Sequence, residues 1–334
     1  MGAVIKNIEY VFPNNRVSNE DLSEIFPDYD FSKFEEKIGI AARYWVSKEE
    51  TAFDLAKRAC EKLLKNVSLH SIDFLLYCTQ SPDYFLPTTA CILQHELGLN
   101  KNIGALDFNL GCSGFTYGVS LAKSLINSGQ ARNVLLVTAE TYSKYLHPKD
   151  HSNRAIFGDA AAATLISFSE EEHIGNFLFG TDGGGYDKLI IRNGAAKHPY
   201  QADAQEKQYG SNNFYTENHL YMDGPEIFKF TSDNIPDFVK KILNVERKEI
   251  ENVNQFIFHQ ANAFMLDFMR RKLNINKDNF YINLKEGGNT VSCTIPIALK
   301  EYSKQIDEEQ TILLVGFGVG LSWSGGLIKL KYTL

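Results

Sequence analysis

Apolar and polar positions along this chain switch repeatedly between a helix period and a strand period. Over residues 49–64 the apolar side chains fall at Ala52, Leu55, Ala56, Ala59, Leu63 and Leu64, the spacing of one helical face. Residues 72–80 form a short continuous apolar run, the signature of a strand covered on both faces. Residues 88–97 predict a helix, with Pro87 just before it and Gly98 just after. Residues 105–110 read as strand, 113–127 as a helix that stops at Ser128-Gly129, and 133–140 as strand again. The second half repeats the rhythm. Residues 255–259 read as strand, 263–273 as helix, 280–284 as strand, 294–302 as helix, and 311–317 and 321–332 as two paired strands.

Strands separated by helical segments predict an α/β chain with largely parallel, helix-covered sheets. The same element order appears twice without obvious sequence repetition. A boundary is expected near residues 169–175, dividing the chain into halves 1–170 and 171–334 with no low-complexity linker. Residues 193–218 are polar and without period, and predict a long surface excursion or lid.

Composition narrows the class. The chain has 334 residues, 44% of them hydrophobic and 22% charged, so it can bury a large core without a disulfide or metal staple. Five cysteines are an odd number with no CxxC pair, which argues against a disulfide framework and a zinc site, and no metal is expected. A net charge of −7 disfavours nucleic acid as a whole-surface partner. The opening MGAVIKNIEYVFP lacks the basic and apolar regions of a signal peptide, position 6 is Lys6, and no run reaches membrane-span length; a cytoplasmic protein without a membrane span is expected.

Four segments carry candidate chemistry. In NLGCSGF, residues 109–115, a strand ends, Gly111 permits a tight turn and Cys112 stands where a helix begins. Helix N-termini favour thiolate over thiol and offer N–H groups to an oxyanion. Alone, Cys112 reads equally as a structural cysteine; the other four cysteines lie in apolar patterns and read as structural. In FHQAN, residues 258–262, His259 ends an apolar strand, where sites gather in parallel sheets, though it could equally cap the next helix. In EGGNTVS, residues 286–292, Asn289 sits at a turn that an ordinary asparagine would also fill. In GFGVGLSWSGG, residues 316–326, the GxGxG pattern precedes a strand rather than a helix, which excludes dinucleotide binding but lets backbone N–H groups approach a reacting centre. The TDGGGYD segment, residues 181–187, reads as a structural loop, and His147 and His151 in HPKDH as part of a solvated one.

Together LGCSGFTYGVSLA, NRAIFGDAAAATLI, FHQAN, GGNTVS and GFGVGLSW resemble, in order and spacing, the condensing enzymes of the thiolase superfamily, in particular the β-ketoacyl-acyl-carrier-protein synthase III type. The resemblance implies a thiolase fold: two βαβαβαββ halves in a five-layer αβαβα arrangement, forming a homodimer. It implies that Cys112 takes an acyl group from a thioester. His259 and Asn289 would then hold the carbonyl of malonyl-carrier protein during decarboxylation. The backbone N–H groups of Cys112 and Val319 would form the oxyanion hole, with Val319 replacing a family glycine.

Matching positions imply pantetheine and substrate contacts at Lys37, Phe157, Gly224, Phe228, Ala261 and Asn262. They imply a carrier-protein patch at Lys229, Arg271 and Lys272, and a pocket residue, Leu86, donated to the partner subunit. Thioesters on the phosphopantetheine of acyl-carrier protein or coenzyme A are the expected substrates, with no further cofactor. The family's adenine-stacking tryptophan has no match near Lys33, its arginine partner aligns with Lys37, and Pro225 and Phe264 replace an asparagine and a basic residue. These departures shift the expected donor from coenzyme A toward a carrier protein. A thiolase-fold acyltransferase serving an oxygen or nitrogen nucleophile is the alternative. A non-catalytic acyl-binding partner is a third reading, opposed by the intact Cys112, His259 and Asn289.

Overall fold

The computed structural model describes residues 2–334 and stacks two sheets between three layers of helices. The first sheet has five strands in the order Gly2–Val11, Ala160–Ser169, Asn133–Glu140, Phe74–Cys78, Gly104–Phe108. Phe74–Cys78 runs parallel to both of its neighbours, and the other pairings are antiparallel. The second sheet has the order Gln255–Phe258, Gln310–Gly318, Ser322–Leu330, Ile174–Thr181, with only the first pair parallel.

Alternation along the strands explains the layers. On Asn133–Glu140, Val134 and Leu136 pack inward with Phe115, Val119 and Ile295, while Leu135 and Val137 pack outward with Leu55 and Leu93. The helices Gly114–Asn127 and Thr294–Ser303 therefore form the central layer, buried between Leu76 and Ile166 of one sheet and Ile257 and Leu314 of the other. Ala52–Leu64 and Thr89–Glu96 cover the outer face of the first sheet. Gly224–Val245 and Ala263–Lys272 cover the second. The five layers match the expected thiolase arrangement.

Local chemistry sets the boundaries. Thr51 caps Ala52–Leu64 in a reciprocal capping box with Asp54. Gly114 and Gly118 allow the central helix to sit against the first sheet, because a Cβ at either would collide with Cys78 Sγ or lie 2.5 Å from Leu136.

Several expectations change. Residues 280–284 do not form a strand: Phe280 makes one isolated bridge to Phe256, and the next available donor, Asn283 N–H, goes to Gln260 Oε1 at 2.7 Å. The side chain thus takes a place that a ladder would have used. The excursion at 193–218 carries a small hairpin, Lys207–Tyr209 with Asn213–Tyr215. His147 and His151 are buried, not solvated: His151 Nε2 bonds the Ser211 carbonyl at 2.9 Å, and the His147 ring stands against His219. Cys91 is exposed, unlike the buried Cys60, Cys78 and Cys293. The 22-residue helix Gly224–Val245, with Pro236 inside it, had no counterpart in the sequence reading. Among the described residues no helix is long and apolar enough to cross a membrane.

Candidate active site

Three loops from distant parts of the chain converge at the ends of the two sheets. Cys112 lies in the turn after Gly104–Phe108, directly before Ser113, the residue that precedes the central helix Gly114–Asn127 and whose hydroxyl pairs with Ser322 Oγ. The closing strand of the second sheet makes room for it. A Cβ at Gly316 would lie 2.8 Å from the Cys112 carbonyl oxygen, and one at Gly318 2.9 Å from Cys112 Sγ. Gly111 is needed for space rather than for a left-handed backbone, since a Cβ there would lie 2.6 Å from Gln80 Oε1 and 2.7 Å from Val319.

Cys112 belongs to a buried apolar cluster with Tyr142, Leu146, Phe157, Leu189, Leu220 and Val291. This burial outweighs the helix N-terminus. It pushes the Cys112 thiol up to about 12, the buried Glu140 carboxylate adds to the rise, and the backbone N–H groups of Cys112 and Val319 offset part of it. The expected thiolate is thus not the resting form. The two expected oxyanion donors are nevertheless the backbone groups that face the sulfur.

His259 follows the strand Gln255–Phe258, and its backbone N–H is held by the Val315 carbonyl at 2.8 Å. It does not cap the next helix; Asn262 does, through Oδ1 to Met265 N–H at 2.8 Å. The buried ring contacts Thr294 Oγ1 through Nδ1 at 2.8 Å and meets Phe317 edge-on, with centroids 5.6 Å apart. Burial pushes the imidazole down to about 3, with the Val291 carbonyl opposing the shift, so the ring is neutral at any working pH. Nε2 makes no hydrogen bond among the described residues.

Asn289 is pinned to the first half of the chain. Its N–H donates to Ile156 O at 2.9 Å, and Gly158 N–H donates to its carbonyl at 3.1 Å, so Phe157 and Asn289 form a bridge. Oδ1 accepts the Val291 N–H at 2.9 Å, which leaves Nδ2 with no hydrogen bond among the described residues. Val291 joins the three loops. It packs beside Cys112, donates to Asn289, and turns its carbonyl toward Thr294 and His259.

Other sequence-derived positions divide. Gly224 begins its helix with nothing of this chain within 4 Å of where a Cβ would be, so the space beside it is open. Phe228 packs against Phe264 and Phe268 at centroid distances of 5.7 and 5.1 Å, making an aromatic patch where the resemblance implied basic groups. Ala261 is buried next to Asn262. Lys37, Lys229, Arg271 and Lys272 are exposed; Arg271 is paired with Asp267, and Lys272 donates to Ser232 O at 2.7 Å. Leu86 is 82% exposed.

The sequence reading missed Glu140, Ser292 and Thr294. Glu140 ends its strand on the inward side, fully buried, and accepts from Gln80 N–H at 3.1 Å, Ser81 Oγ at 3.1 Å and Ser292 Oγ at 2.9 Å. Burial pushes its carboxyl up to about 8, opposed by these donors and reinforced by Asp159. Its alternation with Val134, Leu136 and Thr138 was the available signal.

Comparisons with known proteins agree with this geometry. Residues 106–183 match the family model for 3-oxoacyl-[acyl-carrier-protein] synthase III, and residues 243–330 match the C-terminal model of the same family. The first match contains Cys112 and the second His259 and Asn289. A β-ketoacyl-[acyl-carrier-protein] synthase III of Clostridium perfringens is 38% identical over 95% of this chain and 96% of its own length. One from Streptococcus agalactiae is 34% identical over 98% and 99%. A crystal structure of a 3-oxoacyl-(acyl-carrier-protein) synthase III is 44% identical with a TM-score of 0.96, covering 99% of this chain and all of that one. A 3-oxoacyl-(acyl-carrier-protein) synthase from Burkholderia xenovorans is 35% identical with a TM-score of 0.92, covering 99% of this chain and 95% of that one. With sequence similarity from end to end and the thiolase fold in both halves, this chain belongs to the 3-oxoacyl-[acyl-carrier-protein] synthase III family.

Proposed function

We propose that the protein catalyses decarboxylative Claisen condensation, joining an acyl group held on Cys112 to the two-carbon unit of malonyl-carrier protein. In the first half-reaction Cys112 Sγ attacks the acyl thioester. The carbonyl oxygen gains charge between the N–H groups of Cys112 and Val319, and the thiol proton leaves with the departing pantetheine thiol. In the second, malonyl thioester loses carbon dioxide, and the resulting enolate attacks the acyl carbon and expels the Cys112 thiolate, which takes a proton from water to regenerate the thiol. His259 Nε2 and Asn289 Nδ2 donate to the thioester oxygen as it takes up charge; neither needs to ionise. The observation that carries this reading is the pair of uncommitted nitrogens, His259 Nε2 and Asn289 Nδ2, each fixed by a hydrogen bond on its other polar atom.

The pantetheine arm is assigned to the open space at Gly224, flanked by Phe228, Ala261 and Asn262, with the carrier meeting Lys229, Arg271 and Lys272. Phe157 lines the acyl pocket, and Lys37 marks the outer end of the arm. The aromatic patch at Phe228, Phe264 and Phe268 supports a carrier-borne donor over coenzyme A. A homodimer is assigned to the free edge of Gly104–Phe108, where Leu106 is exposed and Phe85 and Leu86, 86% and 82% exposed, project nearby to reach a second copy. The two halves, 1–170 and 171–334, then act as one cytoplasmic enzyme that uses no cofactor beyond its thioester carriers.

The test offers acyl-coenzyme A and acyl-carrier donors, follows the mass added at Cys112, then supplies malonyl-carrier protein and measures carbon dioxide. Loading followed by carbon dioxide release is expected. Loading without release would redirect the reading to acyl transfer onto an oxygen or nitrogen nucleophile.

A further inference from the structure

We propose that Ser292 is a positioning residue for the condensation: anchored on the buried Glu140, its hydroxyl holds the neighbouring Val291 in a left-handed backbone, and Val291 in turn holds the Asn289 carboxamide. The inference rests on the reading above, in which Asn289 serves the decarboxylating step, and names what keeps that side chain in place.

The loop that carries Asn289 has two residues with positive φ, Gly288 at 64° and Val291 at 56°. Glycine enters that region without a steric penalty, so Gly288 needs no outside help. A β-branched residue does not, and left alone it would rotate to negative φ. Rotation would swing the Val291 N–H away from Asn289 Oδ1, which it now reaches at 2.9 Å. The carboxamide would then lose the one hydrogen bond its side chain makes among the described residues.

Something outside the loop must therefore oppose the rotation. Asn289 itself is pinned by Ile156 and Gly158, and from Thr294 onward the chain is helical. Between these points two side chains hydrogen-bond other parts of the chain, among the described residues. Cys293 Sγ, a weak donor, lies 3.2 Å from Thr138 O and 3.3 Å from Ala160 O. Ser292 Oγ donates to Glu140 Oε1 at 2.9 Å, and Ser292 is the residue directly after the strained one. Glu140 can resist because it is itself fixed. Its Oε2 accepts from Gln80 N–H and Ser81 Oγ, each at 3.1 Å, and Ser81 Oγ accepts the Thr141 N–H at 3.1 Å. Glu140, Val291 and Ser292 are 0%, 0% and 1% exposed, so water does not stand in for a lost partner. Ser292 touches no substrate in this account; it acts through Val291 and Asn289.

The test removes the hydroxyl with Ser292→Ala, which deletes one oxygen and adds no bulk. Acyl loading is read by mass on Cys112, decarboxylation by carbon dioxide from malonyl-carrier protein, and the Val291 φ by a crystal structure of the variant. Carbon dioxide release should fall by about 10-fold or more, loading should stay within about 3-fold, and Val291 should leave the left-handed region. Val291→Gly supplies the deciding background, because a glycine needs no holding there. Adding Ser292→Ala to Val291→Gly should change carbon dioxide release by less than about 3-fold. Ser292→Cys, which keeps the bulk and a weaker donor, should fall between the parent and Ser292→Ala, and it carries the same readouts if the alanine variant does not fold. The proposal is overturned if Val291 keeps its φ without the hydroxyl, or if Ser292→Ala costs as much in the Val291→Gly background as in the parent. It is also overturned if loading and release fall in parallel, which a structural role alone would produce. A parent enzyme that loads acyl groups but releases no carbon dioxide would refute the condensing reaction instead, and the Val291 backbone in Ser292→Ala would still decide the clamp.

Discussion

Val291 donates its backbone N–H to Asn289 Oδ1 at 2.9 Å from a left-handed backbone with φ of 56°. A buried β-branched residue in that region costs on the order of 1–3 kcal/mol, and it persists only when its surroundings hold it there. Here the strain orients a carboxamide: with Oδ1 committed to Val291, Nδ2 has no hydrogen bond among the described residues.

Asn289→Asp separates the two atoms. The carboxylate still accepts from Val291, so the loop should keep its shape and acyl loading should persist. The Nδ2 donor is lost, and a negative charge replaces it beside a developing enolate. Decarboxylation should fall by roughly 100-fold or more, by the scale of other oxyanion donors. Carbon dioxide release beside loading on Cys112 measures the split, and a parallel loss of both would assign Asn289 to structure alone.

The Cys112 thiol predicts the pH dependence of its own reactivity. Pushed up to about 12 by burial, it should be alkylated by iodoacetamide about ten times faster for each pH unit between 6 and 9, without a plateau. Modification must be read on the peptide carrying Cys112, because the exposed Cys91 also reacts. A plateau below pH 8 would show that the helix N-terminus prevails over burial after all.

Glu140 should make stability depend on pH in the direction opposite to a salt-bridged carboxylate. Its folded value, about 8, lies above the ordinary 4.5, so the folded state holds the proton more tightly than the unfolded chain does. The stabilisation is complete below about pH 4.5 and is lost as pH rises through 8. Thermal melting should therefore fall between pH 5 and 9 in the parent and fall less in Glu140→Gln. Asp159, pushed up to about 6, titrates in the same window, so the difference between the two proteins is the readout. Equal slopes would mean Glu140 is ionised throughout.

The proposed acyl chain would lie against the apolar cluster that contains Cys112. Leu220→Ala, at a residue 3% exposed in that cluster, should shift loading toward longer acyl donors at a stability cost of about 2–5 kcal/mol. A donor panel followed by mass checks the first effect and denaturant unfolding the second. An unchanged donor profile would place the acyl chain elsewhere.

Much of this was legible from residue order. The helix over 52–64 showed itself by period, and the strand over 133–140 by an apolar run bounded at both ends. Cys112, His259 and Asn289 were ambiguous one by one and stood out only through the resemblance of their segments, in order and spacing, to the condensing enzymes. What the sequence hid was mostly side-chain capture of backbone groups. Gln260 intercepts the chain at 280–284, and Asn262, not His259, caps the next helix. Glu140 and Thr294 were hidden for a different reason: each looks like an ordinary strand or helix residue until another loop is laid against it. The burial of His147 and His151 likewise depends on the excursion that folds over them.

Gly318 carries a consequence of its own. One methyl group there would lie 2.8 Å from Cys112 Cβ and 2.9 Å from its sulfur, at a position paired with Ser322 of the adjoining strand. The space beside the Cys112 sulfur therefore owes its volume to a missing side chain. Gly318→Ala is expected to lower acyl loading on Cys112, read by mass, because the added methyl takes the room the sulfur now has.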